Sequence, residues 1–491
     1  MSRDSHNLQI RIDIFEHGVF SCPHRLTQAS LLSLVKSLQQ SSIDGKITAS
    51  QWAEVAIKQL SLSLQESNVY FEIFRHLAYT RRPAQPIVDV KQFSLYLVLQ
   101  LFSTTATRLS LENASSLTSK FNSEYPGINN LGTSFPSPGA SPRTKAVRGF
   151  LFTQSSSDIQ LAFQFIKTHL KLLLKVISLD MNDPNPMITS GDFNSLNLIF
   201  SQTDVPLCKL IPYFNSKPRV SLDDLNNWIS KRVYAPADVN SADCLSLAGL
   251  NRGVTIKNTI ETKAREVRIS NCDESYIYIH SAVKQVSMQS CREVTVYISA
   301  VSGIATMDKC ENCTFVTCAS LIRVGNSVDC TVHIYSPFPP VMYGDNRGVV
   351  LAPFNANISD LTSILESAGV PSVSMNPKCS HNWSAPIEMN TENSGQGFAL
   401  MQPKDFFKLV LPNAFGSSNP SVQFTPEEFV NAINLREGYF ESIQTMISKA
   451  NLNEEQERRL HMAIQGYFRE WLVSTGNIKA PMELVKMIDQ E

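Results

Sequence analysis

Three cysteines spaced nineteen residues apart, Cys272, Cys291 and Cys310, constrain this chain's fold more than any other feature. The same phase runs through their neighbours. Three residues after each cysteine stand Ser275, Val294 and Cys313; five after, Ile277, Val296 and Phe315; seven after, Ile279, Ile298 and Thr317. Counting on places a fourth corner at Asp329, one before Cys330, and puts Val332, Ile334 and Ser336 in the same three columns. A second alternating pair recurs in each unit: Val267 and Ile269, Val286 and Met288, Ala305 and Met307, Val324 and Asn326. Alternation with period two makes each segment a short strand with one buried face. A fixed repeat of about twenty residues with two or three strands predicts coils stacked into a β-solenoid spanning about 250–355.

Stacked coils lie about 4.8 Å apart, so equivalent side chains touch above and below and the interior favours small or β-branched residues. Six of the ten cysteines fall between Cys272 and Cys330, and most of them read as small buried hydrophobes in a ladder. Disulfides fit poorly, because stacked Cβ vectors run parallel. Zinc at Cys310-x-x-Cys313 would need a second ligand pair at finger spacing, which the sequence lacks. The open coil ends need covering, and the flanking helical regions are the natural covers.

The phrases Val267-Arg-Ile-Ser-Asn-Cys-Asp-Glu-Ser-Tyr-Ile-Tyr-Ile279, Cys310-Glu-Asn-Cys-Thr-Phe-Val316 and Leu351-Ala-Pro-Phe354 resemble the C-CAP/TBCC β-helix domain of tubulin-folding cofactor C and cyclase-associated proteins. Outside them, Ser50-Gln-Trp52, Val69-Tyr-Phe-Glu-Ile-Phe74 and Tyr467-Phe-Arg-Glu-Trp-Leu-Val-Ser-Thr-Gly476 resemble one branch of that family. The order of parts does so too. The resemblance implies a multidomain α+β chain: a helical N-terminal region, a central right-handed parallel β-helix and a C-terminal helical pair. It also implies a cytoplasmic adaptor of the centrosome, microtubule-organising centre or spindle pole, acting on centrosome and Golgi positioning, cell shape and migration.

Around the solenoid, apolar residues at helical spacing mark Leu31 to Leu38, Trp52 to Leu62, Tyr70 to Leu77 and Phe93 to Phe102. The sequence divides into a helical region 1–114, a flexible Ser/Pro-rich insertion 115–148 and a second helical segment 149–234. A linker 235–249 leads into the solenoid. An irregular connection 356–420 follows it, with a possible strand at Lys408 to Pro412. Within 421–491, Thr425-Pro-Glu-Glu428 and Asn453-Glu-Glu-Gln456 open two helices, with Thr425 as the expected cap of the first. Phe429, Ile433, Phe440, Ile443 and Ile447 line the first; Leu460, Ile464, Tyr467, Phe468, Trp471 and Leu472 line the second. These stripes are expected to pack on each other or on the solenoid.

Charge is balanced, 43 basic against 44 acidic residues, so neither nucleic acid nor an anionic membrane is the expected partner. The apolar runs near Leu95 and Leu170 are too short or too interrupted to span a bilayer. No phosphate loop, nucleophile elbow or H-E-x-x-H motif is present, and no cofactor or metal is expected. His280, His333, the cluster Cys379-Ser-His381 and the pair Gly395-Gln-Gly397 read as structural or solvated. Outward solenoid positions are mainly Ser, Thr, Gln and Tyr, which leaves no carboxylate face for sugar cleavage.

One residue stands apart. In tubulin cofactor C the resemblance points to an arginine finger toward a GTPase, within a Gln-Gln-[Leu/Phe]-Arg motif. The run in phase with it here is Ser320-Leu-Ile-Arg323, which makes Arg323 the finger position. Standing one residue before inward Val324, Arg323 is expected to point outward into solvent. Both glutamines are absent and Gly325 replaces a basic or histidine residue, so the expectation is a non-enzymatic protein. The alternative is an activator of GTP hydrolysis on tubulin or an Arf-like GTPase.

Overall fold

The computed structural model describes residues 8–20, 26–78, 86–105, 156–180, 182–200, 206–234, 244–258, 265–356, 360–370, 382–389, 397–412, 425–450 and 452–475. The insertion read at 115–148 and the Cys379–His381 cluster lie outside these residues, as do Gly395 and Gln396.

Twelve strands form the solenoid: β1 (Cys244–Ala248), β2 (Val254–Asn258), β3 (Glu266–Ser270), β4 (Tyr276–Val283), β5 (Gln285–Gln289), β6 (Thr295–Asp308), β7 (Thr314–Gly325), β8 (Thr331–Tyr335), β9 (Val341–Tyr343), β10 (Val349–Pro353), β11 (Ile387–Met389) and β12 (Phe398–Leu400). Every pairing among them is parallel. The sheet therefore begins at Cys244, inside the stretch read as linker, and gains its last two strands from the stretch read as irregular connection. Lys408 to Leu411 form no strand.

Two residues with left-handed backbone bracket each corner: Asn271 and Glu274 around Cys272, Ser290 and Glu293 around Cys291, Lys309 and Asn312 around Cys310. Such a conformation costs a residue with a Cβ about 1–2 kcal/mol. Coil-to-coil hydrogen bonds hold it in place, from the Glu274, Glu293 and Asn312 N–H groups to the carbonyls of Arg292, Glu311 and Val328, each at 3.0 Å. The fourth bracket, Asn326 and Asp329, encloses Ser327.

The fourth corner is thus Ser327, two residues earlier than a strict repeat predicts. Phe315 pairs with Val332 rather than Ile334, and Met307 with Val324. Register shifts between Ile298 and Ala300, and between Val301 and Ile304, absorb the difference. Ile277, Val296, Phe315 and Ile334 are all buried inside the solenoid, but Ile334 stacks on Thr317. The cysteines of the ladder are free thiols. Burial pushes Cys310 and Cys318 well above the usual thiol range, so both stay protonated and behave as hydrophobes.

The outer faces are covered rather than exposed. On the sheet containing β4, β6 and β8, outward Tyr278, Tyr297 and Val316 pack with Leu361 and Leu365 of a short helix, Leu361–Ala368. The other sheet meets the N-terminal region. That region contains α1 (Gln28–Ser41), α2 (Ala49–Leu60), α3 (Leu64–Ala78), α4 (Val90–Leu99), α5 (Ser156–Ser178) and α6 (Leu222–Ser230). Two antiparallel ribbons, Lys46–Thr48 with Ile87–Asp89 and Met187–Thr189 with Arg219–Ser221, tie its loops in pairs. Each ribbon strand ends in a capping residue, Thr48, Asp89, Thr189 or Ser221, that starts the next helix.

Among the described residues, the N-terminal region covers a side of the solenoid, from Arg268 to Met389. Trp383, Phe406, Phe429 and Ile433 extend the internal cluster at the late coils. The C-terminal helices run over Glu427–Lys449 and Glu454–Thr475. Thr425 does not cap the first of them: its hydroxyl donates to the Phe354 carbonyl at 3.2 Å, tethering the helix to the solenoid. Beyond Ile433 the expected packing is not found at Tyr439, Phe440 and Met446, which face solvent, and the side chains of Trp471 and Leu472 lie outside those described.

Candidate functional site

On the sheet beneath the N-terminal region, the register sets Arg268, Ser287, Thr306, Arg323 and Val341 in one outward column. The segment Asp13 to Phe20 lies along this column, wound at Ile14–Gly18 into one wide helical turn. Arg323 leaves the solenoid as expected but does not reach solvent; it is 1% exposed. Its Nη1 donates to the carbonyl of His17 and, at 3.5 Å, to that of Glu16; its Nη2 donates to Val19 O at 2.9 Å. The carbonyls at the end of a helical turn carry its negative pole, so a cation belongs there. The guanidinium also lies between two rings, 4.8 Å from the Phe20 centroid and 4.7 Å from that of Tyr343.

Neighbouring rungs of the column make matching contacts. His17 Nδ1 meets Thr306 Oγ1 at 2.9 Å. Burial, reinforced by the Arg323 charge, pulls His17 down to about 3, so its ring is neutral at physiological pH. Arg268 Nε donates to Glu16 at 3.1 Å and its Nη2 to Glu266 at 3.0 Å. Burial raises Glu16 despite Arg268, and lifts Glu266 to about 7 with help from Asp13 and Glu16. Burial would also raise Asp13, but Arg11, bonded to it at 2.6 and 3.1 Å, holds it below the ordinary range. Tyr343 is fixed by donating to Asp308 at 3.1 Å. Gly325 leaves room for the Tyr343 ring: a Cβ there would stand 2.3 Å from it.

This arrangement holds two domains together. Removing water from the column strengthens each charge-assisted bond and makes any unpaired group costly. The Arg323 Nε and Ser287 Oγ are buried without a partner. Of the interface residues, sequence reasoning singled out Arg323 alone. Arg268, Glu16 and His17 carry no motif, and the shared column of Arg268 and Arg323 emerges only from the shortened fourth coil.

The other candidates take structural places. His280 bridges Ser299 Oγ at 2.9 Å and Asp360 at 3.1 Å, pinning the start of the helix at 361–368. Ser299 is fully buried, so this serine–histidine–aspartate set is closed to a substrate. His333 Nδ1 donates to Pro353 O at 3.2 Å and its ring lies 5.8 Å from Phe406. Gly397 packs on Asn346. Among the described residues no group of three His, Cys, Asp or Glu side chains could hold a metal, and no helix is long and apolar enough to cross a membrane.

Residues 264–381 match the family model described as Tubulin binding cofactor C. The chain carries a TBCC domain in its solenoid. Its similarity reaches beyond that domain. TBCC domain-containing protein 1 of Danio rerio is 23% identical over 87% of this chain and 84% of its own length. The Xenopus tropicalis protein of that name is 21% identical over 87% of this chain and 82% of its own. The Homo sapiens one is 24% identical over 45% of this chain and 40% of its own. Tubulin Binding Cofactor C from Leishmania major aligns with 29% of this chain and 92% of its own at 12% identity, with a TM-score of 0.23. The TBCC domain here is the solenoid whose Arg323 face is sealed by the N-terminal region.

Proposed function

We propose that this TBCC-domain protein is a non-enzymatic cytoskeletal adaptor of the centrosome or spindle pole, positioning centrosome and Golgi and so influencing cell shape and migration. The observation that carries the non-enzymatic part is the burial of Arg323. A finger must enter a partner's site, whereas this guanidinium is committed to three carbonyls and two rings of its own chain. The cellular setting draws on the resemblance to TBCC domain-containing protein 1 and on tubulin cofactor C as the parent family. Proximity labelling in cells tests it: centrosomal and microtubule proteins should dominate the labelled set, and their absence would overturn the location.

A second reading follows from the outward direction of Arg323 on the solenoid. Were the Asp13 to Phe20 segment to lift, the arginine would be presented to tubulin or an Arf-like GTPase. A competent finger contributes about 10³ to 10⁵ in hydrolysis rate, so turnover assays decide. The adaptor reading expects no stimulation by the whole chain. Large stimulation abolished by Arg323→Lys would favour the finger, because lysine keeps charge but loses the planar fork.

A further inference from the structure

The strongest unassigned feature is the C-terminal helical pair. On Glu427–Lys449, the positions Phe429, Ile433, Arg436, Phe440, Ile443 and Ile447 follow one another at four-three-four-three-four spacing, the seam of a heptad. Beside the seam stand Ala432, Tyr439 and Met446, each just before a seam residue. The stripe thus takes three positions in seven. Glu454–Thr475 repeats the pattern with Leu460, Ala463, Ile464 and Tyr467. A stripe of that width suits a helix facing the core of a bundle, whereas a two-stranded coiled coil needs only two positions in seven.

The first third of the stripe already has its cover. Phe429 and Ile433 are buried at the late coils of the solenoid, where Phe429 meets Trp383 and Phe406 edge-on at 5.6 and 5.0 Å. Arg436 secures the helix by donating to Phe406 O at 2.9 Å and Lys404 O at 2.7 Å. From there the first helix's face runs on uncovered, Phe440 being 63% exposed and Tyr439 65%, and on the second helix Tyr467 is 75% exposed. Those three rings alone leave roughly 400 Å² of apolar surface in water. Ile443, Met446 and Ile464 bring the face toward the roughly 800 Å² that each partner gives a standard interface.

We propose that this face is covered by a second copy of the chain, the two helical pairs joining in a four-helix bundle. Each chain brings two helices with bundle-width stripes, joined by a link of four residues, 450–453. Two copies supply the four helices such stripes require, and a two-fold axis is the commonest way identical chains associate. The anchored start of the first helix holds the bundle against the solenoid, so the dimer would set two solenoids at a fixed spacing.

Sedimentation velocity and light scattering of the full chain at about ten micromolar test this. The expected mass is that of two chains. Phe440→Glu with Ile443→Glu should return the mass of one chain while the far-UV circular dichroism shows the chain still folded, since both side chains face solvent in the single chain. Phe440→Leu with Ile443→Leu should remain dimeric. Should the glutamates cause aggregation, Ile443→Gln reads the same face, with an expected weakening of self-association of at least tenfold. A one-chain mass for the unaltered protein would overturn the proposal, whether the face is met by residues 476–491 or reserved for a different protein. A dimer that survives the glutamate pair would overturn it as well.

Discussion

Arg323→Ala should release the N-terminal segment from the solenoid while leaving the coils stacked. The guanidinium makes two close charge-assisted hydrogen bonds, to the carbonyls of His17 and Val19, each contributing about 1.5–3 kcal/mol. Its contacts with the Phe20 and Tyr343 rings add about 1 kcal/mol apiece. Against these stands the cost of holding a cation away from water, which alanine removes. A net loss of about 3 kcal/mol remains. It falls on docking, because the arginine side chain points away from the internal columns formed by Ile322 and Val324. Such a loss raises the population of the undocked state on the order of 100-fold. Native-state hydrogen exchange reads it at Phe15 and Glu16, whose N–H groups bond to Ile12 O at 2.9 and 3.1 Å. Exchange there should accelerate by about that factor, while amides such as Thr314, bonded to Val294 O within the coils, keep their rate. Arg323→Lys should fall between, since an ammonium cannot span both carbonyls and the paired rings. If Arg323→Ala left exchange at Phe15 and Glu16 within threefold of the unaltered protein, the interdomain role would be refuted.

Other consequences can be measured directly. Phe315→Asp places a carboxylate among Val296 and Val332 and should cost about 4 kcal/mol or more, seen as loss of cooperative melting; a stable variant would contradict the stack. Gly325→Ala drives a Cβ into the Tyr343 ring and should lower stability by about 2 kcal/mol in denaturant titration, with an unchanged midpoint arguing against that contact. Burial holds His333 at about 4 although its bond to Pro353 O works the other way. The folded protein therefore binds fewer protons than the unfolded one, whose histidine titrates near 6.5. That contribution is complete above pH 6.5 and is lost as pH falls toward 4, by up to about 3 kcal/mol. The gap in melting temperature between the unaltered protein and His333→Gln should change across that window, and parallel curves would refute it. A fragment limited to 250–355 lacks β1 and the cover over Arg268 and Arg323, so it should aggregate in light scattering, whereas a monodisperse fragment would show the cover to be dispensable.

Much of the solenoid was legible because burial and period leave separate marks. Columns such as Val267 and Val286, or Ile277 and Val296, appear as alternation within a strand and repetition between coils. The helices of the N-terminal region were legible for the same reason, from residues such as Trp52 and Phe93 at helical spacing, which meet at 4.9 Å. The fourth corner was not. Cysteine marks the first three, but Ser327 takes the place and Cys330 stands instead in the column of Cys313. Nor was the fate of Arg323 legible. A strand shows which way a side chain points, but not that a segment some three hundred residues earlier in the chain will cover it. Of the covering residues, Glu16 and His17 are charged or polar, residue types that are mostly exposed and so carry no mark of burial in the sequence. The C-terminal stripes were legible as amphipathic, but a pattern of faces does not say whether its complement lies in the same chain.

Two residues missing from one coil decide which side chain reaches the N-terminal region. Thr306 marks the position on its own coil, and a further nineteen residues would bring Gly325 beside it. At the observed seventeen, Arg323 stands there instead. The corners are fixed by left-handed residues and the interior by stacking, so the excess is shed at the bulges near Ser299 and Gly303. A deletion in such a solenoid therefore acts as a gearshift: it leaves the core intact while advancing a different residue to a given point on the surface. Chains built on the same coils can in this way present an arginine, a glycine or a threonine to one neighbour, with no substitution at the contact itself.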